Sequence, residues 1–177
     1  IAGLHDERGR VTLPGFYDGV VELSAAERAA LGRASQDDKA YAADVGVPAL
    51  WSGEQGYTPS ERRAIRPTCE VNGVWGGYAG EGANTIIPAR AGAKISMRLV
   101  PGQPAARISE MFDETVRKRC PATVRVELLS HGPAVDAYMT PTEMREFRAA
   151  RTALRETFGK EAALLREGGS LPILPMF

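Results

Sequence analysis

The sequence predicts an α+β fold, a two-layer sandwich in which helices cover one face of a mostly antiparallel sheet. Three observations predict it. Residues 93–99 and 123–130 alternate apolar and polar side chains with the period of a half-buried strand. Residues 104–119 repeat apolar side chains with the period of an amphipathic helix. Over 93–130 these segments follow one another as strand, helix, strand.

Taken in order, a short strand is expected near 16–23. Helices then announce themselves by their caps. Ser24 to Glu27, Thr58 to Glu61 and Thr140 to Glu143 each form a capping-box pattern. In each, the first hydroxyl accepts from the N3 amide and the Glu reaches back to the N-cap amide. Pro59 and Pro141 fall at N1, where a missing N–H costs nothing. A strand is expected over 68–75. The Gly-rich stretch 76–84 reads as a turn or a close backbone approach. It lacks the strand–GxGxxG–helix context of a dinucleotide site and does not match a P-loop.

In the strand 93–99, Ala93, Ile95, Met97 and Leu99 share the core face, and Lys94, Ser96 and Arg98 the other. The helix from about Pro104 to Arg119 presents Ile108, Met111, Phe112, Thr115 and Val116, and Pro121 forbids its extension. In 123–130, Val124, Val126 and Leu128 point inward, leaving Arg125 and Glu127 beside Arg98 on the open face. The third capping box opens a helix over 141–158. Met144, Phe147, Ala150, Leu154 and Phe158 make its buried stripe, and Gly159 ends it.

Composition narrows the function. Apolar residues make up 44% and charged residues 25%, as in an ordinary globular domain. The 22 basic side chains balance 22 acidic ones, so no basic field invites nucleic acid and no polybasic run invites a membrane. No apolar run approaches the roughly 18 residues of a membrane span. Cys69 and Cys120 stand far apart without a CxxC, and read as free thiols in a reducing cytoplasm. The chain opens on Ile1 rather than Met, and an upstream portion is expected.

Little of the remaining chemistry stands out. His5 and His131 are the only histidines, and neither has a metal-ligand neighbour at HxxxH, HExxH or HxD spacing. No GxSxG is present. Residues 117–120 read as a solvated helix end with its basic charge favourably placed against the helix dipole. Trp51 and Trp75 read as packing residues. Gly168 to Ser170 read either as a tight turn or as amides that meet an anion or a peptide backbone. For Arg98 two readings stay open: a pair with Glu127, or bidentate recognition of a ligand carboxylate by its planar fork.

Three stretches together carry a resemblance. "LHDERGRVTLPGFYDGV" at 4–20, "GVWGGYAGEGANTIIPARAGAKISMRLVPGQ" at 73–103 and "REGGSLPI" at 166–173 resemble the M20 metallopeptidases, in particular their dipeptidase, or carnosinase-like, branch. The resemblance covers essentially the whole chain and implies a ferredoxin-like lid and dimerisation domain over 1–161. Residues 162–177 would then return toward a catalytic domain.

It also implies a parent enzyme that hydrolyses short peptides at a site holding two zinc or manganese ions. The motifs for those ions have no counterpart here, so no cofactor is expected in this segment and the segment alone is expected to be inactive. By resemblance, Thr85 contacts substrate across a homodimer. Arg98 binds the substrate's C-terminal carboxylate in the neighbouring subunit, and Gly169 and Ser170 contact substrate within their own subunit. The implied partners are a short peptide or N-acyl amino acid and a second copy of the chain. The rival readings are a free-standing ligand-binding, regulatory or homodimerisation module, and the lid of a deacylase.

Overall fold

The computed structural model describes residues 1–50, 53–130 and 134–167. Its helices are α1 (Ala25–Ala34), α2 (Asp38–Asp44), α3 (Pro59–Ile65), α4 (Ala105–Arg119) and α5 (Arg145–Phe158). Strands β1 (Thr68–Gly76) and β2 (Ala91–Arg98) pair antiparallel. The architecture is α+β, with the sheet of the described residues reduced to one hairpin.

The β1–β2 register follows the alternation of the sequence. Cys69 faces Met97 and Val71 faces Ile95 on the core side, while Thr68 faces Arg98 and Glu70 faces Ser96 on the other. A bulge between Val71 and Gly73 shifts the pairing by one residue, so Gly73 meets Lys94. Farther along, the Trp75 ring lies over Gly92, filling the space a Cβ would need.

The core lies between the hairpin and α4. Ile108 and Met111 of α4 join Cys69 of β1 and Leu4, Val11, Leu13 and Phe16 of the N-terminal segment, with Ile95, Met97, Leu99 and Phe112 packed at the margin. A second, smaller cluster joins Leu31 of α1 to Ala64 and Ile65 of α3. Burial pushes the Cys69 thiol up to about 11, with the charge of Glu70 adding to it. Both cysteines are free.

Two turns lock the end of β2. The buried Gln103 accepts from the Val100 amide through Oε1 (3.0 Å) and donates from Nε2 to the Phe16 carbonyl. Beside it, Gly19 and Gly102 meet backbone to backbone. A Cβ on either would fall under 3.0 Å from the other's carbonyl oxygen, and both have positive φ, 82° and 94°.

Several expected features differ. Residues 16–23 are turns followed by irregular chain rather than a strand, because the GFYD stretch folds back through 13–20. Residues 123–130 do not join the ladder, and Val124 is 58% exposed. The third capping box does not close. Helix α5 starts at Arg145 with Met144 at its N-cap and no side-chain cap bond, while the Thr142 hydroxyl donates to the neighbouring Glu143. Gly159 does end the helix, in the left-handed conformation. The amphipathic stripe is present but no α5 residue is buried, so Leu154 and Phe158 stand exposed. Trp75 is also exposed, whereas Trp51 lies outside the described residues.

Arg119 does more than solvate a helix end. It donates from Nη1 to the Gly3 carbonyl (2.7 Å) and from Nη2 to the Thr12 carbonyl (2.9 Å), tying α4 to the N-terminal segment.

The other end of α4 is capped from a distance. Pro104 offers no capping side chain, and Asp136 Oδ1 accepts from the Ala105 amide instead (2.7 Å). A carboxylate on the free amides of a helix start also meets the positive end of the dipole. Asp136→Ala should therefore lower stability by about 1 kcal/mol, and Asp136→Asn by less. Urea unfolding of the two variants checks this. Equal stability of Asp136→Ala and the unsubstituted protein would remove the cap from the account.

Candidate functional site

Arg98 closes β2 at the end away from the strand connection. Its neighbours in sequence settle its direction: Met97 and Leu99 pack on the core, so Arg98 emerges on the opposite, open face and is exposed. Its amide lies 3.4 Å from the Thr68 hydroxyl across the ladder. The Gln103 turn just beyond holds this end of the strand to the Phe16 backbone, so the guanidinium grows from a fixed base. Glu127, which the sequence offered as a cross-strand partner, stands in chain that is not paired to β2.

Thr85 lies in the irregular connection between β1 and β2 and is exposed, as are its neighbours Ile86 (47%) and Ile87 (97%). Arg98 and Thr85 thus belong to one hairpin but to different elements of it. One hollow is bordered by Asp38, Tyr57 and Arg62 and another by Glu27, Arg33 and Leu164. Neither Thr85 nor Arg98 lines them. Both residues are exposed. Gly169 and Ser170 lie outside the described residues, as does His131. The described part of their motif is Arg166 and Glu167.

Sequence reasoning missed a buried charge cluster at the end of α3. The Arg66 guanidinium donates from Nε and Nη2 to the two carboxylate oxygens of Glu54 (2.7 and 2.8 Å), and from Nη1 to Glu22 Oε1 (2.7 Å). It sits over the rings of Tyr57 (4.3 Å) and Tyr17 (4.7 Å). The Tyr57 hydroxyl donates to Glu22 (2.8 Å), and the Tyr17 hydroxyl accepts from the Val11 amide (2.9 Å). Burial pushes both phenol groups up. Arg66 and Glu54 are each 6% exposed. The full pairing explains how charges persist there and assigns the cluster to holding the N-terminal segment, 53–58 and α3 together. The only sequence signal was GFYD, which places Tyr17; no spacing links Glu54 to Arg66.

Metal ligands do not gather in this part of the molecule. Among the described residues no three His, Cys, Asp or Glu side chains come together as a ligand set. No helix among them is long and apolar enough to cross a membrane.

Residues 1–124 match the family model described as the peptidase dimerisation domain of M20 peptidases. The chain belongs to the M20 peptidase dimerisation domain family. Among curated relatives, this M20 domain is 27% identical to a Cys-Gly metallodipeptidase of Saccharomyces cerevisiae, matching along 100% of this chain and 37% of that protein. It is 26% identical to a human Beta-Ala-His dipeptidase, over 100% of this chain and 35% of the relative. Among solved structures, an M20 family metallo-carboxypeptidase from Sulfolobus solfataricus superposes with a TM-score of 0.78 at 30% identity, covering 97% of this chain and 38% of that one. The M20 domain thus spans little more than a third of the proteins it resembles.

Proposed function

We propose that this chain is the lid and dimerisation part of an M20-type dipeptidase, and that Arg98 holds the C-terminal carboxylate of a short peptide bound in a neighbouring subunit. The observation that carries the proposal is the placement of Arg98. A guanidinium stands on the open face of a strand whose other face is core, in a domain whose family pairs subunits. A carboxylate is the ligand that a planar fork of donors recognises best. An N-acyl amino acid offers the same group. Thr85 is assigned to substrate contact beside it, and Gly169 and Ser170 to contact from within the same subunit.

The hydrolytic metal ions that the relatives' names imply find no ligand set among the described residues. In this reading the chain contributes substrate binding and closure, with bond cleavage carried out by the rest of the parent protein. The two free thiols suit a reducing cytoplasm.

Self-association has its own support. Val74 (66%), Trp75 (54%) and Ile87 (97%) expose apolar surface on the hairpin and its connection. A second copy related by a twofold axis would cover apolar side chains of this kind. The parent protein is expected to sediment as a dimer and to cleave short peptides with a free C-terminus when zinc or manganese is supplied. Sedimentation as a monomer at high concentration would remove the pairing. Failure to cleave any such peptide, with the metals bound, would remove the dipeptidase reading.

A further inference from the structure

Gln103 is a buried polar residue with both ends of its side-chain amide in use. It is 2% exposed and closes the VPGQ turn after β2. Its Oε1 accepts from the Val100 amide (3.0 Å), and its own backbone amide donates to the Val100 carbonyl (3.2 Å). Both polar groups of the Val100 backbone therefore end on this one residue. From the other end of the side chain, Nε2 donates to the Phe16 carbonyl. That acceptor is anchored. Phe16 is fully buried, and its ring meets Tyr17 edge to face at 5.3 Å. The Tyr17 ring carries the guanidinium groups of Arg10 and Arg66, each 4.7 Å from its centroid. Pairing of β2 with β1 ends at Arg98, opposite Thr68. The ladder thus holds the chain before Arg98, and the Gln103 turn holds the chain after it.

We infer that Gln103 is a positioning residue for Arg98: by tying the Val100 backbone to the Phe16 carbonyl, it sets where the guanidinium meets the C-terminal carboxylate of a short peptide. The inference rests on the reading of Arg98 as the group that holds that carboxylate. The physical reason is one of reach and freedom. Val100 is two residues beyond Arg98, and two residues of extended chain span at most about 7 Å, so pinning Val100 confines the base from which Arg98 grows. A bidentate pair needs the planar fork aligned with both carboxylate oxygens, so a small shift of that base costs one of the two bonds. A strand end already held in place also loses less freedom when substrate arrives. Being buried, Gln103 acts through this backbone and not by touching substrate.

The test separates positioning from support of the fold. Two variants are made in the full-length parent protein, and their kinetics are read well below each melting temperature. Gln103→Met keeps the length of the side chain and removes both of its hydrogen bonds. Gln103→Asn keeps the amide but shortens its reach by one methylene, giving up one bond at a smaller cost to the fold, and it carries the same comparison if Gln103→Met does not fold. Each is expected to lower kcat/KM for a free dipeptide, Gln103→Met about tenfold, chiefly by raising KM. The C-terminally amidated dipeptide should change less than about twofold. In an Arg98→Ala background the Gln103 effect on the free dipeptide should disappear. A purely structural role would lower both substrates by one factor and keep that factor in the Arg98→Ala background, and this result overturns the positioning. So does an unaltered KM for the free dipeptide in the folded variants. If neither variant folds, Gln103 is a residue of the fold and the inference falls. Arg98→Ala that loses equally on free and amidated dipeptides overturns the reading of Arg98 itself, and the positioning with it.

Discussion

Replacing Arg98 with alanine in the parent protein is expected to cut kcat/KM for dipeptides with a free C-terminus by roughly 30- to 1,000-fold, a loss of about 2–4 kcal/mol. Two charge-assisted hydrogen bonds to a carboxylate, each worth about 1.5–3 kcal/mol and partly screened in an opening cleft, set that range. C-terminally amidated dipeptides present no anion and should respond much less. Arg98→Lys should rescue poorly, because a point charge does not reproduce the fork. The fold should survive, since Arg98 is exposed while Ile95, Met97 and Leu99 carry the packing. The measurement is the ratio of efficiencies on free and amidated substrates, alongside thermal melts. Equal losses on both substrates with an intact fold would remove the carboxylate clamp.

A second large effect is expected where sequence gave no warning. Glu54→Ala removes the bidentate partner of the buried Arg66 guanidinium, with only the half-exposed Glu22 carboxylate still on Nη1. Breaking a buried pair from one side typically costs about 3–5 kcal/mol. The double variant Glu54→Leu with Arg66→Met should cost less than Glu54→Ala alone, because it leaves no unpaired charge behind. Urea unfolding of the single and double variants checks both statements. A Glu54→Ala protein as stable as its parent would show that Arg66 is solvated by other means.

The contrast between these two residues shows what a sequence can reveal. Arg98 was legible because strand alternation is local: Ile95, Met97 and Leu99 point one way, so Arg98 points the other. The α4 stripe was legible for the same reason, and so was the Gly159 stop. The Ser24 and Thr58 capping boxes close as their spacing requires. Their second use was not legible. Glu61 bonds Arg28 of α1 through the oxygen its cap leaves over, and Glu27 does the same with Arg166. Partners 33 and 139 residues away follow from tertiary packing rather than from any local period.

The expectations that missed have two causes. Residues 123–130 have the alternation of a strand, but a strand also needs a neighbour in register, and β2 does not provide one there. Thr140 to Glu143 have the spacing of a cap, but Thr142 bonds Glu143 instead and the helix starts later. On α5 the apolar period is present, but none of its residues is buried among the described chain. Residues 123–130 and α5 satisfied their local rule and lacked, among the described residues, the second body that the rule presumes, whereas at Thr140–Glu143 a competing local bond formed.

Gly19 and Gly102 carry a consequence for how this chain can change over time. Most tight contacts in a protein drift by exchange: one side chain grows, the facing one shrinks, and the pair survives. That route is closed here, because neither residue has anything left to give up and each faces the other's carbonyl. Gly46, also at positive φ, has open space around it and can pass to asparagine at modest cost. The GFYD turn and the VPGQ turn lie far apart in the gene but share this one point of backbone contact. They are bound to evolve as a single unit.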